Sequence, residues 1–485
     1  MSLFFAFLAG AATVLAFAPT GQYPLAFVTF AVLVHLWMRA APRACFWIGF
    51  AFGMGLFVAG VSWVYVSLSR FGGMPAPLAG FATLCFCALL ALFPAGAGWL
   101  QARVPASATV RATLVIPAAW VLFEWLRGWV LGGFPWLSAG YATVGWPTQG
   151  LAPLAGVYGL SFATLALAGL LRVVYRGGHR WRAVAIIAAI LAGGQALRSV
   201  EWTRPEGERF SAALLQGNIA QDLKFQPERY ARILETYARL VEETRARLIV
   251  LPETALPRLH DRVDPAYYGR LQAAAGRNGG DLIVGVPFHD AGAYYNSVLT
   301  LGVSPRQVYH KRHLVPFGEF VPPGFAWVMR WLNIPFSDFA SGDARQAPLA
   351  VAGQRVAVNI CYEDAFGDEI ARQLPEATVL VNVSNVAWFG DSLAPAQHLQ
   401  IARLRAIETG RMHLTATNSG ITAVIERDGS VPLRLPSFVE GRLVAAVQGY
   451  AGATPYVRLG DWPAITLSLL VLFFAAALPR LRRSQ

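Results

Sequence analysis

Three polar residues of complementary chemistry lie beside apolar segments in the second half of the chain. Glu253 follows the apolar segment 248–252, Lys311 lies in a short basic segment, and Cys361 directly follows the apolar alternation of 355–360. A carboxylate, an ammonium and a thiol can serve as general base, electrostatic clamp and nucleophile in a covalent transfer reaction. Because Glu253 stands at the end of an apolar strand, we expect burial to raise its pKa toward that of a useful base.

Each of these residues also has a simpler explanation that the sequence leaves open. Glu253 can be an exposed acid at a strand end, Lys311 a member of a solvated basic cluster, and Cys361 a buried structural thiol. Cys361 is, however, the one cysteine of four outside the apolar segments, and a lone thiol has no disulfide framework to join. Glu319 lies among apolar residues, and we expect it to pair with Lys311 or to orient the base. The backbone N–H of Tyr362 is a candidate second donor to an oxyanion.

Short strands that alternate with helices must position these residues. The predicted strands are 211–215, 248–252, 281–286, 356–360, 378–384, 414–417 and 421–425, and the predicted helices are 226–245, 264–278 and 395–409. Strand segments that are apolar on both faces are typical of sheets covered by helices. The sequence therefore predicts one substantial α/β domain over residues 203–458.

The rest of the chain is too apolar for a soluble protein. Hydrophobic residues make up 55% of the sequence and charged residues 14%, with the excess hydrophobicity in the first part. Segments long enough to span ~30 Å of hydrocarbon are 3–18, 22–38, 44–67, 76–100, 112–131, 150–171, 183–199 and 463–478. We therefore predict a multi-pass α-helical membrane domain of about eight spans. It comprises residues 1–202 and a single C-terminal helix with its tail, 459–485.

The arginines predict the orientation of these spans. They cluster at alternate ends of successive apolar segments, and the opposite loops hold little beyond Arg70 and Arg127. The positive-inside rule then places both termini in the cytoplasm and residues 203–458 on the outer side, which is the periplasm of a bacterium. This topogenic role explains much of the net charge of +12 without nucleic acid binding, since no basic-aromatic stripe is present. The histidines lack metal-ligand spacing, so we expect no metal and no cofactor.

Several motifs, in the right order along the chain, resemble those of the nitrilase superfamily. The resemblance is closer still to its integral membrane branch, the apolipoprotein N-acyltransferase family. The motifs are 215–219, 251–254, the segment around Lys311, 313–322, 359–364, 387–390 and 418–424, with 124–128 and 133–137 in the membrane part. The resemblance implies a nitrilase-like αββα sandwich and a Glu253-Lys311-Cys361 triad. It also gives supporting roles to Glu319, Tyr362 and Glu363.

The chain departs from the family pattern at two positions. Phe225 stands where we expect tryptophan, and Val386 stands where the family often has aspartate. We expect these changes to affect acceptor contacts and local loop stability rather than the chemistry.

Five aromatic or basic residues are candidates for contact with lipid or substrate. They are Phe225, Arg127, Trp136, Trp327 and Trp388. For Arg127, headgroup binding and interfacial anchoring are equally open, and Trp136 can belong to an ordinary aromatic belt. The apolar loop 325–331 around Trp327 is interpreted as a lid over the site, with core packing as the alternative.

The resemblance implies a two-step acyl transfer. A fatty acyl chain would pass from a membrane phospholipid to Cys361 as a thioester. It would then pass to the α-amino group of the diacylglyceryl-cysteine that begins a lipoprotein. The partners would be the phospholipid donor, the lipoprotein acceptor and the bilayer, with a monomeric enzyme in the bacterial inner membrane. The alternatives are a membrane-anchored nitrilase-type amidase, a non-enzymatic transporter, and a receptor that has lost catalysis.

Overall fold

The chain forms two compact units. The structure, a computed structural model, describes residues 1–177, 179–322, 324 and 338–481, with side chains up to residue 477. The first unit, called the helical unit here, contains Met1–Tyr65, Pro75–Val200 and Arg458–Gln485. The second, called the sandwich unit, contains Val66–Met74 and Glu201–Val457.

Apolar helices make up the helical unit. Among the described residues, five helices are long and apolar enough to cross a membrane: Pro42–Val61, Ala76–Arg103, Ala108–Arg127, Pro147–Arg176 and Arg180–Leu197. Three shorter apolar helices are Ser2–Ala16, Pro24–Trp37 and Trp462–Ala477. Each helix overlaps one of the predicted spans, so the prediction of a multi-pass α-helical membrane domain is confirmed.

A compact loop connects two of the long helices. It contains the short 3-10 helices Val130–Gly132 and Ala139–Thr143. Gly133 has a φ of +74°, and a Cβ there would lie 2.1 Å from the carbonyl oxygen of Gly128, so only glycine fits this turn. The loop therefore has a specific, tightly packed path rather than that of a flexible connection.

Two six-stranded sheets form the sandwich unit. The strands are β1 (Arg204–Gln216), β2 (Leu248–Val250), β3 (Asp281–Asp290), β4 (Ala293–Gly302), β5 (Val308–His310), β6 (Leu349–Val351), β7 (Gln354–Ile360), β8 (Val379–Ser384), β9 (His413–Thr417), β10 (Ala423–Ile425), β11 (Leu433–Arg434) and β12 (Gly441–Ala451). The strand orders are β12-β1-β2-β3-β4-β5 and β11-β10-β9-β8-β7-β6. In each sheet three central strands are parallel, β1-β2-β3 and β7-β8-β9, and antiparallel strands flank them.

Alternation of side chains along the strands builds the layers. In β1, Ala212 and Leu214 join a core formed by both sheets, whereas Ala213 and Leu215 pack on the opposite face. That opposite face is covered by the helices Pro227–Glu242 and Pro265–Gly276, and the outer face of the second sheet is covered by Gly367–Ala371 and Ala394–Thr409. Burial of these apolar faces on both sides of each sheet drives the assembly. The predicted αββα sandwich is confirmed.

The ends of the strands carry the candidate functional residues. Lys311 comes directly after β5, Cys361 directly after β7, and Asn385 directly after β8, while Glu253 is the third residue after the end of β2. Carboxyl ends of parallel strands are where open α/β sheets usually place their sites.

Candidate active site

Cys361 occupies an unusual backbone position. It begins the 3-10 helix Cys361–Ala365 immediately after β7, with a φ of +54°. A residue with a Cβ pays strain energy in this left-handed region, and such strain is concentrated at functional sites. The side chain is partly exposed, unlike most of the surrounding strand ends. The turn therefore presents the thiol at the end of the strand, as the sequence predicted.

Glu253 is held by hydrogen bonds to both of its carboxylate oxygens. Oε1 accepts a hydrogen bond from Nδ2 of Asn296 at 2.7 Å, and Oε2 accepts one from the backbone N–H of Asn385 at 2.9 Å. The residue is 8% exposed. Two donors, one on β4 and one directly after β8, thus fix the direction of the carboxylate, which a general base needs in order to meet its proton at a defined angle.

Lys311 links two carboxylates. Its Nζ lies 2.9 Å from the carboxylate of Glu319 and 3.4 Å from Oε1 of Glu253, and the residue is 1% exposed. Burial acts to lower the pKa of Lys311, but the charges of Glu319 and Glu253 outweigh burial and raise it. Lys311 is therefore a permanent cation at neutral pH. Its position agrees with the predicted pairing of Glu319 with Lys311.

Glu319 shares its partners with Glu253. Asn296 Nδ2 donates to Glu319 Oε1 at 2.7 Å, and the backbone N–H of Val315 donates to Oε2 at 2.8 Å. Glu319 is thus a fixed neighbour of Glu253 and Lys311, with its carboxylate hydrogen-bonded within the protein. Its predicted supporting role stays a prediction.

The pKa of Glu253 differs from expectation. Burial alone raises it, as the sequence suggested. The charge of Lys311, the hydrogen bond from Asn296 and the charge of Lys224 together outweigh burial and hold the pKa below its usual range. The expectation of a raised pKa is therefore wrong, because it took burial into account without the two buried ammonium groups.

The pKa of the Cys361 thiol is shifted in the opposite direction, above its usual value. Burial is the main cause that raises its pKa, and the charge of Glu253 raises it further. Lys311 and the backbone N–H of Asn385 act the other way without cancelling these effects. At neutral pH the site therefore holds an ionised base beside a neutral thiol, and the sulfur must lose its proton to react.

Glu363 connects the turn of Cys361 to the segment of Lys311. One oxygen accepts from the N–H of Ile360 at 2.6 Å, and the other accepts from the N–H groups of Arg312 at 2.7 Å and His313 at 3.2 Å. Burial raises the pKa of Glu363 to about 7 although these donors oppose it. The carboxylate thus ties together the two segments that carry the nucleophile and the clamp.

Tyr362 is buried beside this link. Its ring packs edge-on against His313 and Phe366, at centroid distances of 5.9 and 5.2 Å. The ring is therefore part of the local packing, and the predicted role of its backbone N–H stays a prediction.

Sequence reasoning missed three residues that hold Glu253. Asn296 and Asn385 donate to its carboxylate, and Lys224 Nζ donates to its backbone carbonyl at 3.1 Å. Burial lowers the pKa of Lys224 to about 8 despite the opposing charge of Glu253. A polar residue directly after a buried strand was an available signal for Asn385. Asn296 lies within β4, a strand that the sequence analysis did not identify.

The predicted lipid-contacting residues lie in several different places. Phe225 is half-buried in a turn directly after Lys224. Trp388 is half-buried in the 3-10 helix Val386–Phe389, where its carbonyl accepts from the Ser67 hydroxyl at 2.7 Å. Trp327 and the loop 325–331 lie outside the described residues. The lipid contacts of all three stay predictions.

Arg127 ends the helix Ala108–Arg127, and Trp136 lies in the compact loop that follows it. The Arg127 guanidinium donates to the carbonyl oxygens of Phe134, at 2.7 Å, and Trp136. Trp136 is 4% exposed, and its ring packs on Trp63 and Phe134. For Arg127 these contacts favour anchoring of the loop over headgroup binding, and for Trp136 they favour packing over direct contact with lipid.

The described residues contain no candidate metal site. No group of three or more His, Cys, Asp or Glu side chains among them is arranged to hold an ion. The arrangement that is present, a fixed carboxylate, a buried ammonium and a protonated thiol, suits covalent acyl transfer.

Two family models match the chain. Residues 9–170 match the apolipoprotein N-acyltransferase N-terminal domain, and residues 211–456 match the carbon-nitrogen hydrolase domain. The second match covers the sandwich that carries Glu253, Lys311 and Cys361.

Similar proteins match over nearly the whole chain. A Nitrosomonas europaea protein named apolipoprotein N-acyltransferase is 47% identical and aligns with 94% of this chain and 93% of its own. A Methylococcus capsulatus protein of the same name is 45% identical over 93% of this chain and 91% of its own. A solved carbon-nitrogen hydrolase from Xanthomonas campestris is 18% identical over 54% of this chain and 97% of its own, with a TM-score of 0.39. The resemblance seen in the motifs is confirmed by the full-length relatives, and the chain belongs to the apolipoprotein N-acyltransferase family.

Proposed function

We propose that this protein moves a fatty acyl chain from a membrane phospholipid to the amino terminus of a lipoprotein, with Cys361 as the acyl carrier. The acceptor is the α-amino group of the diacylglyceryl-cysteine, and the product is a triacylated lipoprotein. One observation carries the proposal: a hydrogen-bonded Glu253 and a buried Lys311 lie in contact, and the charges of both act on the partly exposed Cys361. The relatives' name supports the choice of acceptor.

In the first step Cys361 attacks the ester carbonyl of the phospholipid. Glu253 takes the thiol proton, since a thiol with a raised pKa needs a base to become a nucleophile. Lys311 and the N–H of Tyr362 stabilise the oxyanion of the tetrahedral intermediate. When the intermediate collapses, the carbon–oxygen bond breaks and Glu253 returns the proton to the departing lysophospholipid. A thioester on Cys361 remains.

In the second step the lipoprotein amine attacks the thioester. Its unperturbed pKa is about 8, so a share of the amine is neutral at physiological pH. Glu253 takes the proton that the amine loses, and the same two donors hold the second oxyanion. The carbon–sulfur bond breaks, the amide forms, and the proton on Glu253 restores the thiol. An amide is much more stable than a thioester, so this step runs strongly forward.

Two aromatic residues are candidates for contacts with the substrates in these steps. Phe225 adjoins Lys224, whose ammonium donates to the main chain of Glu253. Trp388 follows Asn385, whose N–H donates to the Glu253 carboxylate. Both aromatic side chains are half-buried, so each retains surface for an acyl chain. Arg127 and Trp136, by contrast, act in this proposal as packing residues of the helical unit.

The family and the apolar helices also bear on where the protein resides in the cell. The chain is a membrane protein of a family whose substrates are lipids. We propose that it resides in the bacterial inner membrane as a monomer, with the sandwich unit in the periplasm and both termini in the cytoplasm. The distribution of arginines between alternate loops supports this orientation. Reporter fusions at residue 2 and near residue 290 should give opposite localisation signals.

The chief alternative is an amidase that uses the same three residues with water as the second nucleophile. A non-enzymatic transporter is disfavoured because the chain matches acyltransferases over nearly its whole length. The same match disfavours a receptor that has lost catalysis.

Product analysis tests the proposal against these alternatives. The purified protein is incubated with a phospholipid bearing a labelled acyl chain and with a synthetic diacylated lipopeptide. The proposal predicts label in an alkali-stable amide on the lipopeptide, and none with Cys361→Ala. Label released as free fatty acid would support the amidase. If folded protein gave neither a labelled lipopeptide nor labelled free fatty acid, both enzymatic functions would be contradicted.

A further inference from the structure

Two buried side chains hold the backbone carbonyl of the nucleophile. The carbonyl oxygen of Cys361 accepts a hydrogen bond from Nδ2 of Asn382 at 3.1 Å and one from Nε2 of His398 at 3.2 Å. Asn382 lies on β8, and His398 lies on the helix Ala394–Thr409. Neither residue has a part in the proton transfers described above. Two bonds to one carbonyl are more than the strand ladder would provide, and they act on the strained residue of the site.

A buried acid lies beside the His398 imidazole. The Nε2 atom of His398 lies 3.5 Å from Oδ2 of Asp364, while the other oxygen of Asp364 accepts from Nε2 of His413 at 3.0 Å. All three side chains are buried. Because the two groups beside His398 Nε2 are both acceptors, this nitrogen carries the single N–H and donates it to the nearer one, the Cys361 carbonyl. The negative charge of Asp364 thus favours the tautomer in which His398 donates to Cys361.

The peptide group between Cys361 and Tyr362 couples the direction of the Cys361 carbonyl to that of the Tyr362 N–H. The group that joins Cys361 to Tyr362 is planar, and it is trans, so its C=O and N–H point in opposite directions. Donors that fix the carbonyl of Cys361 therefore also fix the direction of the Tyr362 N–H. Hydrogen bonds to a carbonyl also polarise the amide and make its N–H a stronger donor.

We propose that His398, whose donor tautomer is favoured by the charge of Asp364, is a positioning residue that aims the Tyr362 N–H at the oxyanion. The inference rests on the proposed acyl transfer, in which this N–H stabilises both tetrahedral intermediates. In this proposal His398 acts on neither the substrate nor the sulfur directly. It acts through the peptide plane, and Asn382 acts beside it as the second anchor of the same carbonyl.

A comparison of two reactions of the same thiol separates this role from simple packing. Thioester formation with phospholipid passes through an oxyanion, whereas alkylation by iodoacetamide displaces iodide and forms none. Loss of His398 should therefore slow the first reaction and leave the second unchanged. A purely structural loss would slow both together.

The experiment uses the full-length protein in detergent with phospholipid. His398→Leu removes the donor, and His398→Gln keeps an N–H near the position of Nε2. The matched control is His260→Leu, which removes a half-buried imidazole that contacts Tyr268 and Phe288. Single-turnover mass spectrometry gives the rate of thioester formation, and the loss of free thiol gives the rate of alkylation.

The expected result is a split between the two rates. His398→Leu should slow thioester formation about 10- to 100-fold, less than the 10²–10³ that follows loss of a whole oxyanion donor. Alkylation should stay within about two-fold, and His398→Gln should restore most of the thioester rate. The control should alter neither rate.

Several outcomes would overturn the inference. They are an equal loss in both reactions, no loss in either, or no recovery with His398→Gln. If His398→Leu does not fold, Asp364→Asn should show the same split between the rates of thioester formation and alkylation. The absence of this split would overturn the inference. A wild-type protein that forms no thioester would overturn the proposed function first, and the positioning role with it.

Discussion

Two buried ion pairs, one in each unit, show why buried charge alone does not identify a catalytic site. Arg127 lies 3.8 Å from Glu124 in the helical unit, and Lys311 lies 3.4 Å from Glu253 in the sandwich unit. All four residues are less than a tenth exposed. By burial and distance the two pairs are nearly equivalent, yet their surroundings differ.

The difference lies in what the cations hold and what lies beside them. Arg127 donates to two backbone carbonyls of its own loop and so fixes the path of the chain. Lys311 donates to the side chains of two carboxylates, next to a partly exposed thiol on a strained turn. The first pair has the environment of a structural anchor. In the proposed function, the second pair holds the base beside the nucleophile.

The largest expected effect is that of Glu253→Gln. Loss of the general base should slow thioester formation by about 10²- to 10⁴-fold. The same change removes a negative charge that raises the pKa of Cys361, so the pH profile of iodoacetamide alkylation should move to lower pH. Both are measured on the full-length protein, with the exposed Glu228→Gln as control. An unchanged alkylation profile would contradict the described electrostatics.

Lys311→Met should lose both activity and stability. Removal of an oxyanion donor costs about 10²–10³ in rate, and loss of one partner of a buried ion pair costs about 3–5 kcal/mol. Thermal unfolding and single-turnover acylation measure the two effects. Adding Glu319→Gln removes one of the unpaired carboxylates, so the double variant should regain stability without regaining activity. Recovery of activity would show that Lys311 has no part in the chemistry.

Arg127→Met sharpens the comparison because it should lower stability without lowering activity. The loss of a buried ion pair again costs about 3–5 kcal/mol, so the melting temperature should fall. The rate of acylation per folded molecule should not change. Arg43→Met, at an exposed arginine, is the control and should alter neither quantity. A lower rate per folded molecule would give Arg127 a part in the reaction.

The smallest effect concerns Glu363 and pH. Its folded pKa of about 7 lies above the unperturbed value of about 4.3, so the folded state binds more protons between these values. This group therefore makes the protein less stable as pH rises from about 4.3 to about 7. The melting temperature of wild type should fall over this window by more than that of Glu363→Gln. The exposed Glu376→Gln should follow wild type, and identical slopes for all three would contradict the raised pKa.

The sequence predicted the positions whose signals are local. Alternating apolar residues predicted β7, and the polar run after it placed Cys361 at the turn. The motifs and the apolar spans led to the sandwich and the helical unit, as the family matches confirm.

Features that depend on distant partners were not predictable from local patterns. Asn296 reaches Glu253 from β4, which was not recognised, and Asn385 reaches it from the position directly after β8. The direction of the Glu253 pKa shift was wrong for the same reason. Burial can be inferred from a strand, but the two buried lysines that reverse its effect come together only in the fold.

The most direct test of the central claim is the intact mass of the purified protein after incubation with phospholipid, for wild type and Cys361→Ala. Wild type should gain the mass of one acyl chain, hydroxylamine should remove it, and the variant should gain nothing. An active, folded protein without an adduct, or an adduct that persists in Cys361→Ala, would contradict Cys361 as the acyl carrier.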